Sequence, residues 1–464
     1  MTELTWITLL PPFFAIGLAL LTRQVYLALF AGIWLGYYLL NQSGVLPSLA
    51  EALDGVLAVL ANPGDARVVM FTLVIGAFII TLERSGAVTG FVRFLERSHW
   101  VTNGKRAQWM AWLVGVLIFI ESNITVLVSG TVSRPLFDRF RVAREKLAYI
   151  IDSTSAPVCM LIPLNAWGAF NLGLLEGLDV SDPLTVLLSS IPLNLYAITA
   201  VAMTAFTIAR NYNPGPMAAA QARTDGGEVD GIELSVHIDK EKTAKPRAVN
   251  MIVPILVLIL AMPAGLWITG NGEIFAGSGS TSVLWASLAG LTVVSVMVLA
   301  QRIMNLDELS HTWMEGAGRM LPLAVILVLA LALGSVAKTL GTGDYVAGMV
   351  GDAIPLWLLP LVIFLVSGLI AFSVGSSWGT FSIMLPIAIP VASALGAEPA
   401  LFVAAVLSGG IFGDHSSPIS DTTIVSSLAS GTEHIDHVRT QLPYALRAGA
   451  ISAAGFVLLG VVLL

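Results

Sequence analysis

Residues 412–423 concentrate the ionisable and hydroxyl chemistry of the chain: Phe412-Gly413-Asp414-His415-Ser416-Ser417-Pro418-Ile419-Ser420-Asp421-Thr422-Thr423. Two carboxylates, an imidazole and a run of hydroxyls stand together, and apolar sequence precedes them back to Leu401. Hard cations take oxygen ligands of this kind. Pro418 lacks a backbone donor, so a helix broken here would add free carbonyl oxygens to the set. The first half of the chain carries a shorter version, Asp152-Ser153-Thr154-Ser155-Ala156-Pro157. Two more polar stretches interrupt long apolar runs: Glu121-Ser122-Asn123-Ile124-Thr125 and Ser376-Ser377-Trp378-Gly379-Thr380.

These residues form one hypothesis. Asp152 and Asp414 are expected to bind Na+, with Ser122, Asn123, Thr125, Ser376, Ser377, Thr380 and Ser417 supplying further oxygens. Proton coupling is expected from Asp414, Asp421, Glu121 and His415, because an imidazole titrates near pH 6.5 when unperturbed. Ser153, Asn165, Trp378, Ser416 and Ser420 are expected to line a cavity for cargo. Asn165, Trp167 and Asn171 also suit plain helix packing. His434 and His437, beside Glu433 and Asp436, resemble a metal cluster by composition but fall in a predicted cytoplasmic loop, where a solvated turn is the simpler reading.

The elements that must hold this chemistry are membrane helices. The chain has 464 residues, 56% hydrophobic and 11% charged, against about 25% charged in soluble domains. Its net charge is −7 and it has no basic stretch, which excludes nucleic acid as a partner. A single cysteine, Cys159, excludes an internal disulfide. The first apolar run has no basic flank and no small-residue cleavage site, so it reads as a retained helix. A spanning helix needs roughly 20 apolar residues. Candidate spans are 6–21, 25–40, 68–82, 148–175, 184–208, 252–268, 282–300, 321–337 and 442–464. Three apolar stretches, 108–132, 354–395 and 400–428, are interrupted by polar residues.

Lysine and arginine collect on cytoplasmic loops. Here they cluster at Arg84–Arg106, Arg134–Lys146, Arg210–Arg247 and Arg302–Arg319, and none lies between Lys338 and Arg439. Stretch 108–132 has basic residues on both flanks, so it reads as a re-entrant hairpin turning at Glu121-Ser122-Asn123. Stretch 354–395 reads as a hairpin from the other side, turning near Gly375–Thr380. The sum is ten full spans, two hairpins and both termini outside. Segment 211–247 is the one long polar loop and is expected to be a flexible cytoplasmic linker.

The halves repeat. Gly86 and Gly341 are 255 residues apart, as are Ser122 and Ser377, while Asp152 and Asp414 are 262 apart. The fold class expected is therefore an all-α polytopic membrane protein of two inverted repeats, 1–210 and 248–464, each of five spans with one hairpin and one broken helix. Inverted repeats with broken helices are typical of secondary transporters, with the site at mid-membrane. Short amphipathic stretches after the two glycines, 88–95 and 345–350, are candidates for arms in the membrane plane. Proteolysis within the membrane is a poor fit: no His-Glu pair exists for a zinc site, and Ile411 occupies the position where an aspartyl protease carries a glycine. The chain is not expected to be an enzyme.

Residues 413–427, with His437-Val438-Arg439-Thr440-Gln441-Leu442-Pro443-Tyr444 after them, resemble the NhaC-type sodium/proton antiporters of the ion transporter superfamily. Residues 121–125, 145–168 and 375–386 are similar to that family too. The resemblance implies Na+ and H+ as transported or coupling ions with no cofactor, a multi-pass protein of the cell (inner) membrane, a homodimer, and an elevator arrangement. It also implies an alternative, since similar sequences move amino acids or carboxylates against Na+ or H+. No arginine lies inside the expected site, which weakens a polycarboxylate cargo.

Overall fold

The computed structural model describes residues 6–22, 24–41, 44–87, 90, 101–119, 122–178, 180–227, 247–273, 277–342, 345 and 355–464. Every regular element among them is helical. The helices in chain order are α1 (Leu10–Thr22), α2 (Val25–Asn41), α3 (Val45–Ala61), α4 (Pro63–Arg84), α5 (Gly104–Leu117), α6 (Ser122–Arg139), α7 (Arg144–Ser153), α8 (Ala156–Leu161), α9 (Ala166–Gly177), α10 (Pro183–Ser190) and α11 (Leu195–Arg210). They continue with α12 (Pro216–Asp225), α13 (Val249–Thr269), α14 (Gly279–Ala300), α15 (Leu306–Leu340), α16 (Leu359–Val374), α17 (Ser377–Ala394), α18 (Pro399–Ser416), α19 (Asp421–Ser430) and α20 (His434–Leu463). Among the described residues eight helical stretches are long and apolar enough to cross a membrane, or ten if two bent pairs each count as one span.

Several expected boundaries change. Helix α3 lies outside the expected spans, because Glu51 and Asp54 interrupt its apolar face. The expected span 148–175 is three helices, α7, α8 and α9. Polar residues cause both breaks. At the first, the Thr154 hydroxyl donates to the Ile150 carbonyl (2.7 Å), and the Ser155 hydroxyl donates to the Asp152 carbonyl (2.8 Å), the acceptor that helix continuation would use. Pro157 then opens α8, where its missing donor costs nothing. At the second, Asn165 caps α9, its Oδ1 accepting from the Trp167 and Gly168 amides. The expected span 184–208 is made of α10 and α11, which together form one candidate span, Pro183–Arg210.

Over the expected hairpin 108–132 the structure shows two packed helices, α5 and α6. The Thr125 hydroxyl donates to the Ile118 carbonyl and the Ser129 hydroxyl to the Ala111 carbonyl, so α5 and α6 run antiparallel from a tip near Ser122. In 354–395 the chain reverses at Gly375 (φ +70°), and its arms, α16 with the preceding turn and α17, are each long and apolar enough to cross on their own. A side chain at Gly375 would also meet the Ile419 carbonyl carbon and oxygen at under 3 Å. Gly86 (φ +70°) and Gly341 (φ +73°) share the left-handed conformation just past α4 and α15. The arm candidates 88–95 and 345–350 lie outside the described residues apart from Gly90 and Tyr345.

Segment 211–247 is not uniformly a flexible linker. Its α12 docks beneath α7, with Met217 fully buried, Arg223 paired to Glu145 (2.8 Å), and the Gln221 amide joined to the Ala143 amide and the Arg141 carbonyl. Residues 228–246 lie outside the described part. The last expected span, 442–464, begins eight residues earlier, at His434 of α20.

Close helix packing frames the site. Helix α18 lies against α16 through Gly409 and Gly413; a Cβ on Gly413 would come within 2.1 Å of the Gly368 carbonyl oxygen. Small residues four apart let two backbones approach in this way.

Candidate functional site

The two broken helices end in the interior. Asp152 is the penultimate residue of α7 and is 0% exposed; Asp414 lies in the last turn of α18 and is 1% exposed. Buried carboxylates need partners, and each has them on one oxygen. Asp414 Oδ2 accepts from the Ser377 hydroxyl at 2.5 Å, from the first residue of α17. Asp152 Oδ2 accepts from Gln441 Nε2 at 2.6 Å and from the Thr423 hydroxyl at 3.3 Å. The other oxygen of each, Oδ1, has no hydrogen-bond partner among the described residues. Neither aspartate forms an ion pair with lysine or arginine there. An imidazole stands close to the first of them: His437 Nε2 lies 3.9 Å from Asp152 Oδ2.

This donor set fits a small hard cation. Two buried carboxylate oxygens await a partner, and the surrounding hydroxyl and carbonyl oxygens are of the type Na+ and its like prefer.

The expected oxygen donors divide. Ser377 reaches Asp414 directly. Ser376 caps α17 by accepting from the Gly379 amide, and Thr380 donates back to the Ser376 carbonyl at 3.0 Å. Ser417 donates to the Phe372 carbonyl at 2.7 Å, tying the second break to the end of α16. Ser122 and Thr125 are buried at the tip of the α5–α6 pair. Glu121 and the side chain of Asn123 lie outside the described residues.

Among the proton candidates, His415 is buried; its Nδ1 faces the Tyr196 hydroxyl at 3.5 Å and its Nε2 has no partner among the described residues. Asp421 differs from Asp414. It opens α19, its Oδ1 accepts from the Thr422 amide, and it is exposed. An acidic first residue also suits the positive end of a helix.

Of the cavity candidates, Asn165 is committed elsewhere. Its Nδ2 donates to the Phe119, Cys159 and Ile162 carbonyls at 2.7–2.9 Å, which spends the amide on the α8–α9 break. Trp378 is half-buried, its ring 4.3 Å from that of the buried Trp167 and tilted 38° to it, with the Phe170 ring edge-on at 5.0 Å. Ser416 donates to the Phe412 carbonyl, Ser420 pairs with the Thr422 hydroxyl, and Ser153 is buried at the end of α7.

The sequence reading missed Thr423, His437 and Gln441 as partners of Asp152. His437 is not in a solvated loop: it is 0% exposed in the first turns of α20, with Nδ1 against the Ser427 hydroxyl (2.9 Å) and Nε2 against Gln441 Oε1 (2.9 Å). No group of three or more His, Cys, Asp or Glu residues among the described ones is arranged to hold a metal ion. The available signal was spacing: His437 and Gln441 stand four apart, on one helical face.

An all-helical, multi-pass membrane protein with buried carboxylates at two helix breaks is a secondary transporter, and comparison with known proteins agrees. The model of the Na+/H+ antiporter family matches residues 158–461, and the chain belongs to that family. It is 31% identical to an uncharacterised protein of Haemophilus influenzae over 98% of this chain and 90% of that one. A malate-2H+/Na+-lactate antiporter of Bacillus subtilis is 32% identical over 33% of each chain. The Na+/H+ antiporter NhaC of Alkalihalophilus pseudofirmus is 26% identical over 25% of this chain and 29% of its own. In fold, the chain is similar to the YdaH transporter of Alcanivorax borkumensis, with TM-score 0.62 at 15% identity over 89% of both chains. The family, and those of these relatives whose names give an activity, are transporters and not enzymes. The match to the family model begins after Asp152, so that aspartate rests on the geometry alone.

Proposed function

We propose that the chain exchanges Na+ for H+ across the cell (inner) membrane. One observation carries the reading: Asp152 and Asp414, both buried, each leave one carboxylate oxygen without a partner among the described residues, at the breaks of two helices. Na+ is the cargo, held by these carboxylates with the Ser377 and Ser417 oxygens nearby. A proton replaces it on the same carboxylates, with Asp421 at the exposed mouth of α19. Competition for one set of oxygens yields exchange without a separate coupling device. If unequal charges move, the membrane potential contributes about 2.3 kcal/mol per net charge per 100 mV.

The inverted repeat and the elevator movement belong to the same proposal. The matched glycines after α4 and α15, and the matched serines opening α6 and α17, support halves 1–210 and 248–464. A homodimer would supply the fixed scaffold.

A second reading has its own observation. The half-buried Trp378 face beside Ser376 and Ser377 offers an apolar wall that a bare cation does not need. It favours a small organic solute carried with Na+ or H+, and the name of the Bacillus relative includes malate and lactate.

Proteoliposomes with a trapped pH dye and an acidic lumen test the first reading. Na+ added outside is expected to alkalinise the lumen, and Asp414→Asn to abolish the response. Silence to Na+, Li+ and K+ overturns it and favours the second, which Na+-dependent binding of amino or carboxylic acids then checks.

A further inference from the structure

The side chain of Gln441 is 1% exposed, and all three of its polar directions are occupied. Its Nε2 donates to Asp152 Oδ2 at 2.6 Å and to the His415 backbone carbonyl at 2.9 Å. Its Oε1 faces His437 Nε2 at 2.9 Å. Two acceptors fix which end of the amide is nitrogen, since an oxygen turned toward them would meet only lone pairs. One NH2 group therefore joins the last turn of α7, at Asp152, to the last turn of α18, one residue from Asp414.

We propose that Gln441 is the positioning residue through which the two carboxylate sites sense one another. The proposal rests on the cation reading above. The bond to Asp152 is charge-assisted and is the shorter of the two, as such bonds are. A cation on Asp152 Oδ1 draws charge from the carboxylate and weakens its hold on the amide. The amide then leans toward the His415 carbonyl and tightens the turn that carries Asp414. Linkage makes the effect reciprocal: occupancy at Asp414 changes the turn, the amide and so Asp152. His437 keeps the far end of the amide in place, so the lean is a small rotation and not a loss of the side chain.

The residue type matters. Glutamate here would set a second carboxylate beside Asp152 and, even when protonated, could serve only one of the two acceptors. Lysine would set its own positive charge against Asp152 Oδ2, in competition with a cation on Oδ1. An aliphatic side chain would fill the volume but leave the sites independent.

Hydrogen exchange on the purified full-length protein reads this coupling without reference to cargo. With Gln441 present, Asp152→Asn is expected to change exchange in residues 413–420, and Asp414→Asn in 150–156, by about fivefold or more. In a Gln441→Met background each substitution should act on its own segment alone. If Gln441→Met does not yield folded protein, Gln441→Glu carries the same comparison with a reduced cross-effect. An unchanged 413–420 segment in Asp152→Asn, or a cross-effect that survives Gln441→Met, overturns the proposal. In liposomes Gln441→Met should raise the Na+ concentration for half-maximal flux while admitting 22Na+ that no longer moves protons. Wild-type protein deaf to Na+ but with the cross-effect intact would sink the antiport reading and leave this role standing.

Discussion

The Ser377 hydroxyl donates to Asp414 Oδ2 at 2.5 Å, joining the first residue of α17 to the last turn of α18. It occupies Oδ2 and leaves Oδ1 without a hydrogen-bond partner among the described residues, the oxygen that the proposed exchange would use. Ser377→Ala should therefore keep transport but weaken cation binding. The expected result is a rise of about tenfold in the Na+ concentration for half-maximal flux, the worth of one charge-assisted hydrogen bond, with the maximal rate within about twofold of wild type. Asp414→Asn should lose flux altogether at unchanged thermal stability. Equal Na+ dependence in Ser377→Ala and wild type would remove Ser377 from the site.

Helices α16 and α18 touch through backbone, and Gly413 is one of the two closest contacts: an added Cβ would sit 2.1 Å from the Gly368 carbonyl oxygen. Backbone cannot yield as a side-chain tip can. Gly413→Ala is expected to lower stability by about 1–3 kcal/mol, the range for overpacking, and to reduce flux because Asp414 is the next residue. Thermal unfolding in detergent checks the first part. Gly396→Ala, where the space is open but φ is +64°, is the control for backbone strain without a clash.

Much of this site is legible in residue types and their spacing. Asp152 and Asp414 stand out because a carboxylate inside apolar sequence is costly and persists where it serves an ion or a proton. The recurrence of Ser122 and Ser377 at one offset points to the two tips. What stays hidden follows from burial of polar surface by polar surface. The start of α20, from His434 to Gln441, looks like a loop to any hydropathy window, yet it packs on Asp152 and its hydroxyl neighbours. In span 148–175 the first break, at Asp152–Pro157, is legible in the sequence, while the second, at Asn165, shows only in its side-chain bonds. In α3, two acids mask a helix; in α12, a polar composition masks a docked one.

Exchange on shared carboxylates fixes the sign of the pH response. Protons added on the side from which Na+ binds occupy the oxygens that Na+ needs, so half-maximal Na+ should rise as pH falls there. On the releasing side the same acidification should speed exchange. A Na+ requirement that does not change with pH on either face would argue for separate sites for the two ions. The measurement is flux in liposomes with the two faces buffered independently.

The docked α12 gives the last prediction. Glu145 is 5% exposed at the start of α7, and Arg223 on α12 is its partner at 2.8 Å. Arg223 is itself about one-third exposed (36%), so screening discounts the pair below a fully buried one. What remains on losing Arg223 is a buried carboxylate without that cation, in the first turn of the helix that carries Asp152. Arg223→Ala is expected to cost about 1–2 kcal/mol, somewhat under the range for a hydrogen bond to a charged group. It should also loosen α12, because its ion pair to α7 is lost while Met217 and Gln221 remain in contact. Limited proteolysis within 216–225 reads that loosening: faster cleavage than wild type is the expected outcome, with Glu145→Gln in the same protein restoring stability by removing the stranded charge. Cleavage at the wild-type rate would mean that α12 is held by its apolar contact alone.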